Sequence, residues 1–240
     1  MSTQVKVLEV MDRGGEAVAE KPTAVSRATS AQHWAGEEAL RLVQQIFPPH
    51  EPNRPRLVVF GGVDVGVGCS GICAAAATTL ASRGDGAVCV VDGNLRSPSL
   101  PELFSVPTGK GLAESLQGDG PIEDYLTPVS SQNLQLLRAG VRTTERTGLL
   151  GTGRLEERIH ELRAKFAYVL IDVPALSLHE DGLLLGQQSD GIVLVLEAGM
   201  TRRQVAVSLV AQLRTSGTPI LGAVLNKRDF PIPSGIYKRL

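Results

Sequence analysis

A doubly wound α/β fold built on a mostly parallel sheet is predicted by three features of this sequence. Downstream of residue 56 lie six short apolar runs, nearly continuous in Val, Leu and Ile rather than alternating, as strands covered on both faces must be. Helical stretches fall between several of them, and strand–helix alternation at this spacing builds parallel sheets. The first run also leads through a glycine-rich loop into an Ala-rich segment. That is the layout of a strand, a tight turn and a helix start.

Residues 1–30 carry Gly14-Gly15, Pro22 and scattered polar residues without a sustained period, and read as a flexible tail. Residues 31–47 read as a helix. Leu40, Val43, Ile46 and Phe47 share one face, and Trp34 is a packing anchor at its start. Pro48-Pro49 ends that helix, and Pro52 and Pro55 extend the break. Residues 31–56 are thus a helix and connector ahead of a domain over 57–240. In that domain the first strand is Leu57–Phe60, and the Ala-rich helix runs from Gly71 to about Ser82. Strands follow at Val88–Val91 and Leu134–Leu137. Leu155, Ile159, Leu162 and Phe166 mark a helix, on which His160 falls among Glu156, Glu157, Arg158, Glu161 and Arg163, a solvated face. Tyr168–Ile171 and Ile192–Leu196 are strands, Ala206, Leu209, Val210 and Leu213 mark another helix, and Ile220–Leu225 is the last strand. No internal repeat or low-complexity tract interrupts the order.

The 240 residues suffice for one α/β domain with a tail. Basic and acidic residues number 24 and 25, a net charge of -1. Without a basic excess to release counterions, nucleic acid is not an expected partner. A chain that is 42% hydrophobic and 20% charged is not wholly disordered. Three cysteines, Cys69, Cys73 and Cys89, are too few for a disulfide scaffold and suggest a reducing compartment. The first thirty residues hold no apolar core of signal-peptide length. The longest uncharged run, Val65 to Ser82, is interrupted by seven Gly, Ser and Thr residues. It reads as a loop and a buried helix rather than a membrane span, and the chain reads as cytoplasmic.

The loop is Gly61-Gly62-Val63-Asp64-Val65-Gly66-Val67-Gly68-Cys69-Ser70. Glycines let backbone N–H groups converge, and the dipole of the following helix favours an anion, so the loop predicts a phosphate site. Gly66, Gly68, Cys69, Ser70 and Gly71 would line it. Against the pattern G-x-x-x-x-G-K-[ST] two positions fail: Val63 stands for the first Gly and Cys69 for the Lys. That Lys stabilises charge in phosphoryl transfer. Cys69 brings no cation, and Asp64 adds a negative charge. The loop therefore predicts binding ahead of turnover, with Ser70 still able to hold Mg²⁺. Asp92 and Asp172 end two strand runs, where ligands bind in such folds. The pair suggests a Mg²⁺ site shared with Ser70.

These residues resemble a known family, the bacterial tyrosine kinases of capsular and exopolysaccharide synthesis, within the ParA/MinD-like P-loop ATPases. The resemblance covers roughly residues 36–240. Asp92-x-Asn94-x-Arg96-x-Pro98 matches the family's D-x-D-x-R-x-P, and Asp172-x-Pro174 matches its Walker B strand. Asp190-Gly191 before an apolar strand, then Leu225-Asn226-Lys227, matches the stretch whose Asn contacts adenine, and Ile232 to Leu240 resembles its tail. The resemblance implies a P-loop NTPase fold that takes ATP or ADP with Mg²⁺. It implies Arg96 and Asn226 as nucleotide contacts, and Asp92 and Asp172 as catalytic if the protein is active. It also implies a membrane polysaccharide co-polymerase as partner, homo-oligomerisation, and a peripheral place at the inner face of the membrane.

The departures fall on catalytic parts. Cys69 replaces the loop Lys, Asp64 a second Lys of the partitioning relatives, and Asn94 the second Asp of D-x-D. The tail holds one tyrosine, Tyr237, and the oligomerisation motif E-x-x-R-x-x-R reads Glu38, Arg41, Gln44. Thr143-Thr144-Glu145 stand where the family has a Pro/Asn-rich loop. A catalytically impaired regulator is the leading expectation. An autokinase acting on Tyr237, a nucleotide-gated positioning ATPase and a thiol switch are the alternatives. Arg96 or Lys110 could supply the missing charge. Cys69 and Cys73 read as small packing residues, Lys227 as a solvated lysine, and His33, His50, His160 and His179 share no metal spacing.

Overall fold

The computed structural model describes residues 36–49, 51–129, 133–141, 148–151 and 153–227. The expectations for the tail over 1–30, for Trp34, His33, His50, Thr143 to Glu145 and the C-terminal segment with Tyr237 lie outside these residues. Seven strands form one sheet: β1 Leu57–Gly62, β2 Val88–Asp92, β3 Leu126–Pro128, β4 Leu134–Leu137, β5 Tyr168–Val173, β6 Gly191–Glu197 and β7 Ile220–Asn226. Their order is β3-β4-β2-β5-β1-β6-β7, with only β3 antiparallel. Each of the six predicted strands is present. The addition is β3, whose three residues are half-buried or exposed, too few to show a period.

Helices cover both faces. On one lie α1 (Glu37–Ile46), α2 (Cys69–Arg83) and α3 (Leu100–Leu103), and on the other α4 (Leu112–Gln117), α5 (Gly153–Lys165), α6 (Asp181–Gln187) and α7 (Arg203–Thr215). The buried stripe of α1 is Ala39, Leu42, Val43 and Ile46, and Leu40 is 41% exposed. Leu40 was expected inside; the stripe falls at i, i+3, i+4 and i+7 from Ala39 instead. Phe47, just past the helix, is fully buried and meets Tyr168 edge-on at 5.4 Å. α2 begins two residues earlier than expected. It buries Ala74, Ala76, Ala77 and Ala81, small side chains that let the helix sit close on the sheet. In α7 Leu209 and Leu213 are buried, whereas Ala206 and Val210 are only partly so.

The polar face of α5 is not wholly solvated. His160 is exposed, but Arg158 is 2% exposed. Its Nε and Nη2 donate to the carbonyls of Ser115 and Gly118, both at 2.9 Å, and its Nη1 pairs with Glu161 at 2.8 Å. Arg158 thus bolts the end of α4 to α5, and its fan of donors is satisfied by carbonyls that a helix end leaves open.

Asp190 fastens the opposite end of the sheet from the site. Its Oδ2 accepts from the N–H groups of Arg56 (2.7 Å) and Leu57 (2.8 Å), and its Oδ1 pairs with Arg163 at 2.8 Å. Partial burial opposes its charge, but Arg163 and these N–H groups outweigh it and hold the carboxyl below its ordinary range. Asp190→Ala is expected to lower stability by about 1.5–2 kcal/mol, because the N–H groups of Arg56 and Leu57 and the Arg163 guanidinium lose a charged acceptor that is itself partly exposed. Urea unfolding measures it; a midpoint equal to wild type would show that water replaces the carboxylate fully.

Candidate functional site

Strand register builds the site. β2 and β5 run parallel with Asp92 directly beside Asp172, so their Cα atoms lie one strand spacing apart, about 4.8 Å. Both side chains are fully buried, at the C-terminal strand ends where doubly wound sheets place ligands. β1, on the other side of β5, delivers the glycine loop to the same end.

The loop is fixed at its start by three backbone bonds. Val63 N–H donates to Val195 O (2.9 Å), and the N–H groups of Leu176 and Ser177 donate to Gly62 O (2.9 Å) and Val63 O (3.1 Å). Gly66 and Gly68 take left-handed φ values of 80° and 86°, which glycine adopts without strain. Gly68 precedes α2 directly and offers no side chain to cap it. The first N–H groups of α2, from Cys69, Ser70 and Gly71, lack carbonyl partners within the helix, and the dipole adds positive character there. The predicted phosphate-lining residues are therefore together.

Asp172 is the anomaly of the site. Both carboxylate oxygens are buried without a hydrogen-bond partner among the described residues. Burial pushes this carboxyl up from 3.8 to about 7, helped by the neighbouring Asp92. The Ser70 hydroxyl and Cys69 thiol beside it pull the other way without completing a bond of ordinary geometry. A buried, unpaired carboxylate is costly, so the position favours either a proton or a cation.

Asp92 plays a different part. Its Oδ2 accepts from the N–H groups of Ser99 and Leu100, both at 3.1 Å, and its Oδ1 from that of Asn94 at 3.3 Å. It folds the loop after β2, and Asn94 continues the turn by accepting from Ser97 N–H at 3.0 Å. The Asp-x-Asn spacing is an Asx-turn signal, the turn-capping role open to an Asp at a strand end. Arg96 pairs with Asp181 of α6 at 3.1 Å. Lys110 is exposed.

Cys69 and Cys73 are buried in the core beneath the loop. Burial first, and then the charge of Asp172, push both thiols well above their ordinary range. That is the reverse of an activated cysteine, and it agrees with packing.

The lysine that sequence reasoning set aside is at the site. Lys227 Nζ donates to Gly66 O at 2.7 Å and pairs with Glu197 at 3.0 Å. Beside it, Asn226 Nδ2 donates to Val67 O at 2.7 Å. The amide expected to face adenine is engaged with the loop.

No family model matches the chain. The tyrosine-protein kinase CpsD of Streptococcus agalactiae is 28% identical over 139 residues, 58% of this chain and 61% of the relative. YwqD of Bacillus subtilis, also a tyrosine-protein kinase, is 28% identical over 58% of this chain and 59% of its own length. The chain resembles the bacterial tyrosine kinases. It spans about three fifths of the length of these relatives. Among solved structures, the kinase domain of VpsO superposes with a TM-score of 0.74 at 24% identity, covering 83% of this chain and 95% of that one. The cell division ATPase MinD of Pyrococcus furiosus gives 0.62 at 26%, covering 77% and 78%. The fold of this kinase-like chain is that of the ParA/MinD-like P-loop NTPases.

The residues present fit a magnesium nucleotide. A glycine cradle meets open N–H groups, and an orphaned carboxylate lies beside Ser70. Among the described residues no group of three or more His, Cys, Asp and Glu converges as a metal cage. Mg²⁺ needs none, since it binds through one or two carboxylates, waters and phosphate oxygens. A cleft of about 440 Å³ between α6 and α7, lined by Leu183, Leu184 and Gln212 among others, holds none of the predicted site residues. No helix among the described residues is long and apolar enough to cross a membrane.

Proposed function

We propose that this chain is a nucleotide-binding regulator of capsular or exopolysaccharide synthesis, taking ADP or ATP with Mg²⁺ and impaired in phosphoryl transfer. The observation that carries the reading is the orphaned carboxylate of Asp172 under a lysine-free glycine cradle. Gly66, Gly68 and the first N–H groups of α2, including Gly71, hold the phosphates. Ser70 and Asp172 hold the metal, and Asp92 shapes the neighbouring loop and adds negative charge. Bound Mg²⁺ would screen the phosphate charges and neutralise Asp172. With Cys69 in place of lysine, the cradle binds through backbone dipoles alone, and losing one preorganised contact costs a factor of about 10²–10³ in rate. Arg96 acts through its ion pair with Asp181, and Asn226 through the loop. The partner is a membrane polysaccharide co-polymerase, which would hold the chain at the inner face of the membrane. Oligomerisation through α1 is weakened by Gln44 in the arginine position.

Calorimetric titration with ATP and Mg²⁺ tests the reading, with Ser70→Ala and Asp172→Ala as controls. Micromolar binding that both controls lose is the expected result. No heat up to millimolar nucleotide would overturn it and leave the fold as a docking scaffold. Phosphate incorporation that disappears in Tyr237→Phe would replace the impaired regulator with an autokinase.

A further inference from the structure

The loop that should hold phosphates is gripped from outside by the end of β7. Asn226 is the last residue of that strand, and Lys227 follows with φ 54°, a left-handed conformation for a non-glycine residue. Such a residue costs on the order of 1–3 kcal/mol and persists where its surroundings hold it. Here the turn carries the ammonium to Gly66 O (2.7 Å) while Glu197, at the end of β6, anchors it from the other side (3.0 Å). Asn226 grips the next carbonyl, Val67 O, at 2.7 Å, and its own Oδ1 accepts from Lys227 N–H at 2.9 Å. Two consecutive loop carbonyls are thus bound by two consecutive side chains.

The planarity of the peptide gives this a consequence. In a trans peptide the N–H points opposite to the C=O. With Gly66 O and Val67 O drawn toward β7, the N–H groups of Val67 and Gly68 are turned away from it. Gly68 also has no room for a side chain on that side: a Cβ there would lie 2.5 Å from Asn226 Nδ2. The arrangement sets the amides of the cradle before any anion arrives.

We propose that Lys227, with Asn226, is a positioning residue that presets the anion-binding backbone of the glycine loop, supplying from outside the order that this loop cannot draw from a lysine of its own. The inference deepens the nucleotide reading above, but the grip itself exists in the empty protein. Lys227 acts on the loop carbonyl, not on the ligand.

Amide hydrogen exchange over residues 62–69 in the ligand-free protein tests it, together with MgADP titration, in wild type, Lys227→Met, Lys227→Arg and Glu197→Gln. In Lys227→Met the loop amides are expected to exchange about tenfold faster and MgADP to bind about tenfold more weakly, the effect of losing one charged hydrogen bond. The thermal midpoint should fall by only a few degrees. Lys227→Arg should restore both readouts, and Glu197→Gln should give an intermediate loosening. Loop exchange in Lys227→Met equal to wild type would overturn the proposal, as would a loss of exchange protection spread over the whole sheet. If the wild type bound no MgADP while Lys227→Met still loosened the loop, the grip would stand and the nucleotide reading would fall.

Discussion

Asp172→Asn is expected to make the metal-free protein more stable at pH 8, by up to about 4 kcal/mol, while abolishing the Mg²⁺-dependent nucleotide binding proposed above. The sign follows from the displaced carboxyl. Burial chiefly, and Asp92 in addition, raise it from 3.8 to about 7 in the folded protein. Below pH 4 the folded and unfolded chains both carry the proton, so the group contributes nothing. Between pH 4 and 7 the folded chain retains a proton that the unfolded chain releases, and stability falls as pH rises. Above pH 7 the folded chain holds a buried charge and the full penalty applies. The amide carries no charge at any pH, so the variant should lose this slope. Urea unfolding at pH 5 and pH 8, without metal, compares the two proteins. A variant no more stable than wild type at pH 8 would mean that the carboxylate is neutralised by something other than a proton. Adding Mg²⁺ and nucleotide at pH 8 should stabilise wild type and leave Asp172→Asn unmoved.

Cys69→Lys is the second large effect, and it runs toward gain. Cys69 is 9% exposed at the first position of α2, close enough to Asp172 for the two to influence each other's charge. An ammonium on this position would face both the phosphates and the orphaned carboxylate. A charged hydrogen bond contributes about 1.5–3 kcal/mol, so MgATP affinity should rise by about tenfold or more. The pH-dependent loss of stability between 4 and 7 should shrink at the same time, because a cation favours the ionised carboxyl. If the missing lysine is what limits phosphoryl transfer, turnover should rise by about 10²–10³. Calorimetry, urea unfolding against pH and a phosphate-release assay read the three consequences. Unchanged affinity with an unchanged pH slope would show that the side chain cannot reach either group, and would detach the impairment from Cys69.

Much of the sheet was legible because its central strands are buried on both faces and leave unbroken apolar runs. Val88 to Val91 and Tyr168 to Ile171 needed no context to be read. The strand ends were legible too: Asp92 and Asp172 were assigned to one place from their position after such runs, and the register sets them side by side. Short elements were not. β3 and α6 are three and seven residues long, and neither repeats often enough to show a period. The stripe of α1 was misjudged because Leu40 is more apolar than Ala39, yet Ala39 is the residue that faces the core. Roles that depend on distant partners were invisible for a different reason. Lys227 meets Gly66 across 161 residues of chain, and Arg158 meets Ser115 across 43. A lysine after a strand and an arginine on a charged helix look solvated until the fold supplies the carbonyl. Asp92 lay between these cases: its turn is local, but its place at a strand end pointed first to a metal, and a strand-end Asp can cap a turn as well.

The strand order also bears on how the chain is made. Among the described strands β1 is made before all the others, yet it lies between β5 and β6, which come fifth and sixth along the chain. No hairpin can occupy it in the meantime, because both of its neighbours are parallel and distant in sequence. A nascent chain that has passed β2 and β4 therefore still carries Leu57 to Phe60 without either lateral partner, and such exposed apolar strands are prone to aggregate. Folding of this protein should accordingly be late and cooperative rather than progressive, and chains cut short within α5 should depend on chaperones for their solubility.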